Sequence, residues 1–86
     1  MLEKHIIFGV HITERMSKAV DVQKYLTEYG CNIRTRLGLH EAVNVCSPNG
    51  LVILEMVGEE NKCHELADKL SAIEGVEVQK MVFDHP

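Results

Sequence analysis

The chain has 86 residues, of which 45% are apolar and 26% are charged, and its net charge is −4. This length accommodates one domain, so we interpret residues 1–86 as a single unit. Nine basic residues are scattered among thirteen acidic ones, whereas a protein that binds DNA unaided usually concentrates its basic residues on one face. We therefore expect no direct nucleic-acid binding.

The apolar run at the N-terminus extends only from Ile6 to Val10. It is too short for the core of a signal peptide or for a membrane-spanning helix. Cys31, Cys46 and Cys63 are odd in number and form no CxxC pair, which is typical of free thiols in a reducing compartment. These features predict a cytoplasmic protein that does not interact with membranes.

The first half of the chain predicts a strand, a helix and a second strand. Residues 5–12 are rich in β-branched and aromatic side chains and predict the first strand. Thr13 is the expected N-cap of a helix over residues 14–29, and Gly30 the expected left-handed stop. The apolar stripe of this helix comprises Met16, Ala19, Val22, Leu26 and Tyr29.

Residues 31–40 alternate between apolar and polar side chains, as in a half-buried strand. One predicted face carries Ile33, Thr35, Leu37 and Leu39, and the other carries Arg34, Arg36, Gly38 and His40. The sequence Ser-Pro-Asn-Gly at 47–50 then predicts a turn.

The second half repeats the pattern. Residues 51–57 are almost continuously apolar, which predicts a strand covered on both faces. A helix is expected over residues 59–74, preceded by Gly58 and ended by Gly75, with Cys63 in its apolar stripe. Residues 76–83 form the last predicted strand, where three consecutive apolar residues from Met81 to Phe83 interrupt the alternation.

The order of elements is β-α-β-β-α-β, which predicts an α+β, ferredoxin-like fold. In this topology both helices cover one face of a four-stranded antiparallel sheet, and the first and third strands are central. The first and third predicted strands are more apolar than the other two. This agreement between pattern and topology supports the assignment.

Only one face of such a sheet is covered by helices, yet the third strand is apolar on both faces. Its alternate positions are Leu51, Ile53, Glu55 and Val57 on one side and Val52, Leu54 and Met56 on the other. Monomers seldom expose large contiguous apolar patches. We therefore expect a second copy of the chain to cover the free face, in a dimer or tetramer.

The same plan resembles ACT-type regulatory domains. The segments IRTRLGLHE (33–41), CSPNGLVILEMVG (46–58) and IEGVEVQKMVF (73–83) resemble a family of small proteins described as regulators of the iron-only hydrogenase system. The resemblance covers nearly the whole chain and depends mainly on RLGLHE followed by PNGL. It implies the context of that hydrogenase system and no particular mechanism. We expect a regulatory domain that acts on a partner protein in this context.

The chain also resembles the C-terminal domain of nickel-responsive repressors, whose ligands follow an H-x-H-x5-C pattern. His40 and Cys46 match the second His and the Cys, whereas Gly38 occupies the position of the first His, and an earlier His of the pattern falls near Thr27. Imidazole and thiolate suit nickel, zinc or copper, and Glu41 could add an oxygen. The DNA-binding segment of those repressors is absent from this sequence.

His40 and Cys46 can therefore be interpreted in two ways. In one interpretation they are metal ligands completed by a neighbouring subunit, which is our alternative function. Otherwise His40 is a solvated histidine at a strand end, and Cys46 fills a small apolar space.

Arg34 and Arg36 are the second group of candidate site residues. Paired guanidinium groups recognise carboxylates or phosphates through two parallel hydrogen bonds. Together with Gly38 and Glu55 they would form a ligand or interface site, in which the arginines pair with Glu55 or bind an anion. The alternative is a solvated edge-strand face that prevents aggregation.

Catalysis has little support in the sequence. It contains no GxSxG, HExxH, GxGxxG or Walker motif. A nucleophilic dyad of Cys46 and His40 is the remaining enzymatic interpretation. We predict a non-catalytic regulatory or ligand-sensing domain, without a resident cofactor unless His40 and Cys46 hold a divalent metal.

Overall fold

The computed structural model describes residues 4–39 and 49–84. Its elements in chain order are β1 (His5–Ile12), α1 (Arg15–Glu28), a 3₁₀ turn (Gly30–Asn32), β2 (Ile33–Leu39), β3 (Gly50–Met56), α2 (Glu60–Ser71) and β4 (Val76–Phe83). The strands form one antiparallel sheet in the order β2-β3-β1-β4. The ferredoxin-like fold is confirmed, and β1 and β3 occupy the centre as predicted.

The core lies between the sheet and the two helices. On the sheet side it is built from alternate residues of the central strands, because successive side chains of a strand point to opposite faces. Phe8, Leu54 and Leu66 are fully buried in it. Cys63 is a core residue, as its place in the apolar stripe predicted, and its Sγ lies 3.6 Å from the carbonyl oxygen of Val57. The other core members are Ile6, Val10, Ile12, Val22, Leu26, Tyr29, Met56, Ala67, Leu70 and Val76.

Two predictions about the ends of α1 are wrong. The N-cap is Glu14, in the left-handed region at φ 54°, and not Thr13. The backbone amide of Thr13 instead donates to the carbonyl of Gly75 at 2.8 Å, which prolongs the pairing of β1 with β4. Gly30 does not adopt a left-handed conformation, because the chain continues there into the 3₁₀ turn.

The glycines with positive φ lie at the other two predicted breaks. Gly58 follows β3 with φ 88°, and Gly75 precedes β4 with φ 86°. α2 ends earlier than expected, at Ser71. Within the described ranges, no helix is long and apolar enough to cross a membrane.

Candidate interaction surface

Within residues 4–39 and 49–84, one face of the sheet carries no helix. β1 pairs with β3 through Gly9 and Ile53, and with β4 through Gly9 and Gln79. Directly paired residues of antiparallel strands point to the same side, so these positions lie opposite the core. We call this side the open face. Its members are His5, Ile7, Gly9 and His11 of β1, Thr35 and Leu37 of β2, Leu51, Ile53 and Glu55 of β3, and Glu77, Gln79, Met81 and Phe83 of β4.

The open face is about half apolar: six of its side chains are apolar, namely Ile7, Leu37, Leu51, Ile53, Met81 and Phe83. Leu37 on one edge strand is 52% exposed, and Met81 and Phe83 on the other edge strand are 52% and 50% exposed. Ile7 and Ile53 on the central strands are half-buried, although neither described helix covers them. Exposed apolar side chains grouped on one face are typical of an interaction site on a protein surface.

The end of β4 is exposed on both sides of the sheet. Val82 points to the helix side and is still 42% exposed, between the open-face residues Met81 and Phe83. Three consecutive exposed apolar residues on an edge strand favour contact with another chain. In the sequence, the interrupted alternation from Met81 to Phe83 is the signal for this exposed apolar segment.

A polar cluster borders the apolar patch at the end where β1 begins. Glu55 accepts hydrogen bonds from Nε2 of His5 at 2.9 Å and from Oγ1 of Thr35 at 2.8 Å. The bond from His5 is the largest cause of a lowered pKa of the Glu55 carboxyl, followed by the bond from Thr35. The ring of His5 also lies near that of Phe83, with centroids 6.3 Å apart. Glu55 is thus held in its charged form beside the exposed apolar side chains.

Arg36 lies on the helix side of the sheet, whereas the predicted site placed it on the face that the helices leave free. The pairing of β2 with β3 shifts register between Ile33 and Thr35, so that Arg36 pairs with the buried Leu54. Its Nη2 donates to Oε1 of Gln23 on α1 at 2.6 Å. A register shift of one residue moves the following side chains to the other face, and the pairing of Arg36 with Glu55 is therefore wrong.

The other members of that predicted cluster are also divided between the two sides. Arg34 occupies the position of the register shift, and its positive charge contributes to the lowered pKa of the Glu55 carboxyl. Gly38 pairs with Val52 on the helix side. Only Glu55 is a member of the open face, with the charge of Arg34 nearby.

The predicted metal ligands His40 and Cys46 lie outside the described residues. Within residues 4–39 and 49–84, no group of three or more His, Cys, Asp and Glu side chains could hold a metal ion. The metal site remains a prediction from the sequence.

Sequence reasoning missed His5 as a partner of Glu55. The two residues are separated by 50 positions in the chain. They meet because β1 and β3 are neighbours in the sheet. The predicted strand order contained this signal, since it placed the start of one central strand beside the end of the other.

A second polar surface lies between the helices. Lys69 of α2 pairs with Glu28 at 2.9 Å, and its Nζ lies 5.1 Å from the ring centroid of Tyr29 and 5.8 Å from that of Tyr25. A hydrogen bond with Tyr29, and then the bond with Glu28, raise the pKa of Lys69. This lysine lines a groove of about 580 Å³ together with residues of both charges. Its interactions fasten α1 to α2, so the open face is the better candidate for a functional surface.

No protein-family model matches the sequence, and no curated protein matches it. Among solved structures, the chain is similar to an uncharacterized protein from Thermotoga maritima, with a TM-score of 0.79 and 21% sequence identity. The similarity covers 93% of this chain and 98% of that chain. At this identity the likeness shows the fold, a four-stranded antiparallel sheet with two helices.

Proposed function

We propose that this protein is a non-catalytic regulatory or ligand-sensing domain that works as a homo-oligomer through its open face. The observation that carries the proposal is the group of apolar side chains on the sheet face that neither described helix covers, where Leu37, Met81 and Phe83 are about half exposed. Burial of such side chains against a second copy removes apolar surface from water, which is the main driving force of association.

The size of the open face fits this role. Four strands spaced about 4.8 Å apart, each about seven residues long at roughly 3.3 Å per residue, span about 19 by 23 Å. That is a flat footprint of roughly 440 Å² per copy before the relief of the side chains is included. Two copies therefore bury close to the ~1,000 Å² that a specific interface requires. A smaller contact area would leave much of the apolar surface exposed.

The context of the regulation comes from the resemblance described above. The segments RLGLHE and PNGL support a role in an iron-only hydrogenase system, in which the oligomer acts in the cytoplasm on a protein partner. Deletion of the gene in its host, with iron-only hydrogenase transcripts and activity as readouts, tests this role. Unchanged transcripts and unchanged activity would contradict it.

Oligomerisation is tested by native mass spectrometry and by light scattering of untagged protein. We expect a dimer or tetramer for the wild type and a folded monomer for Met81→Lys, which introduces a charge into the open face. Val20→Lys is the matched control, because Val20 is 80% exposed on α1 and lies away from the open face. A monomeric wild type, or a Met81→Lys variant that assembles like the wild type, would overturn the proposal.

The metal-binding alternative is tested in the same spectra. Protein purified without chelator is offered nickel and zinc, and the bound metal is counted per chain. About one metal per chain, lost in both His40→Ala and Cys46→Ser, would support a sensor whose ligands include these side chains. An oligomer that binds neither ion would leave the protein-binding role alone.

A further inference from the structure

Gly9 lies in the middle of β1, a central strand, where glycine is an unusual choice. Glycine weakens a strand interior, because it loses more backbone entropy on folding than other residues and offers no side chain for packing. A glycine there often marks a bulge, a tight bend, or a place where a ligand or another backbone approaches closely. The pairing of β1 is regular through Gly9, which leaves no bulge at this position.

The backbone of Gly9 does not require glycine. Its φ is not positive, unlike those of Gly58 and Gly75. A Cβ built at this position would meet only Cδ1 of Ile53, at 4.0 Å, which is an ordinary van der Waals contact. Nothing in the described residues therefore excludes a side chain at position 9.

Gly9 also occupies the centre of the open face. The row of residues that crosses the sheet at this level runs from Leu37 through Ile53 and Gly9 to Gln79. Gly9 has no side chain and therefore leaves a notch in that row, and Ile53 is its direct partner on the neighbouring central strand. The open face thus has a notch and a projecting aliphatic side chain side by side at its centre.

We propose that two copies pack face to face, and that Ile53 of each copy sits on Gly9 of the other. The inference rests on the proposed homo-oligomer and specifies its contact. An interface between identical chains related by a two-fold axis is reciprocal, so a residue and its contact partner exchange roles between the copies. A two-fold axis that passes between Gly9 and Ile53 places Ile53 of each copy over Gly9 of the other. One pair of residues then forms two equivalent contacts.

The width of the open face favours a second copy of the chain, and not a small ligand, as the molecule that contacts Gly9. The footprint of the open face approaches a specific interface only when the two sheets overlap almost fully. Full overlap brings the central rows of the two copies together. A small ligand over Gly9 would leave Leu37, Met81 and Phe83 in water.

The test compares the dissociation constants of three open-face variants with that of the wild type by sedimentation equilibrium. Gly9→Val fills the notch, and we expect it to weaken association roughly tenfold or more through steric overlap. Ile53→Ala removes the projecting side chain and should also weaken association. The double variant exchanges the two shapes, so it should associate more tightly than Gly9→Val alone.

Gly38→Val is the matched control. Gly38 also lies in a strand with open space around it, but on the helix side of the sheet, and this variant should associate like the wild type. Far-UV circular dichroism checks that every variant is folded; Gly9→Val should retain its signal, because valine favours strands.

The outcomes distinguish the contact between Gly9 and Ile53 from the homo-oligomer itself. If the wild type associates and Gly9→Val associates equally well, the notch is not a contact, and the homo-oligomer stands without it. If Gly38→Val weakens association as much as Gly9→Val, or if the double variant recovers nothing, the contact between Gly9 and Ile53 is refuted. A monomeric wild type refutes the oligomer and the contact together.

Discussion

Gly58 is the position where a single methyl group should disturb the fold most specifically. Its φ of 88° lies in the left-handed region, and a Cβ there would lie 2.8 Å from Nδ2 of Asn32. That Nδ2 donates to the carbonyl of Val57 at 3.1 Å, and the amide of Val57 donates back to the carbonyl of Asn32 at 2.8 Å. The side chain of Asn32 therefore cannot move aside without losing a hydrogen bond.

Gly58→Ala should lower the free energy of unfolding by about 2 kcal/mol. The left-handed conformation costs a residue with a Cβ about 1–2 kcal/mol, of which roughly 0.5 kcal/mol is offset by the reduced entropy of the unfolded chain. Loss of the hydrogen bond from Asn32 to Val57 adds about 1 kcal/mol. Gly75→Ala is the matched comparison: φ is 86°, but the nearest atom to its Cβ is 3.5 Å away. We expect a loss of only about 1 kcal/mol there.

Urea unfolding at one fixed protein concentration, followed by circular dichroism, measures both differences. The same Gly58→Ala substitution is then made in an Asn32→Ala background, where the atom that the new methyl group meets is absent. Its effect should fall to about that of Gly75→Ala. If Gly58→Ala is no more destabilising than Gly75→Ala, or if the Asn32→Ala background changes nothing, the contact with Asn32 does not restrict position 58.

Three further predictions concern charge, thiol reactivity and the core. The hydrogen bonds that Glu55 accepts lower the pKa of its carboxyl from the ordinary value of 4.5. The charged carboxyl therefore stabilises the fold above pH 4.5, and this stabilisation is lost as the pH falls through the folded-state pKa. In urea unfolding at a series of acidic pH values, Glu55→Gln should lose less stability with falling pH than the wild type, and an equal loss in both would contradict this. Burial raises the pKa of the Cys63 thiol, whereas Cys31 is exposed. At about pH 8 an alkylating reagent should therefore modify Cys31 faster than Cys63. Peptide mapping that finds Cys31 and Cys63 labelled at the same rate would refute this. Leu66→Ala should lower the free energy of unfolding by about 2–5 kcal/mol because Leu66 is fully buried. The control Val20→Ala should change it by less than about 0.5 kcal/mol. Equal effects of the two substitutions in urea unfolding would be inconsistent with this packing.

The elements and their arrangement were largely readable from periodicity. β1 and β4 have the predicted bounds, at His5–Ile12 and Val76–Phe83, because the spacing of apolar residues is a local property. The apolar character of residues 51–57 on both sides placed this strand at the centre of the sheet. It also predicted that one sheet face would remain apolar and without a helix.

The capping residues were harder to predict, because a cap depends on where the neighbouring chain lies. Thr13 has the right side chain for an N-cap, yet its amide bonds to Gly75 across the sheet, and the helix begins one step later, after Glu14. Gly30 could adopt a left-handed conformation, but the 3₁₀ turn leads the chain directly into β2. At Thr13 a contact from outside the helix overrides the local preference, and at Gly30 the following 3₁₀ turn does so.

The composition of the candidate site was decided by pairing between distant strands. Alternation placed Arg34, Arg36 and Gly38 together, but the register shift at the start of β2 moved Arg36 and Gly38 to the helix side. The bond between Glu55 and His5 likewise depends on the register of β1 against β3. Such registers are set by hydrogen bonds between residues far apart in the chain, which one strand's own pattern does not contain. The period of the side chains thus predicts that an apolar face exists, whereas only the paired strands determine which polar groups border it and that Gly9 lies at its centre.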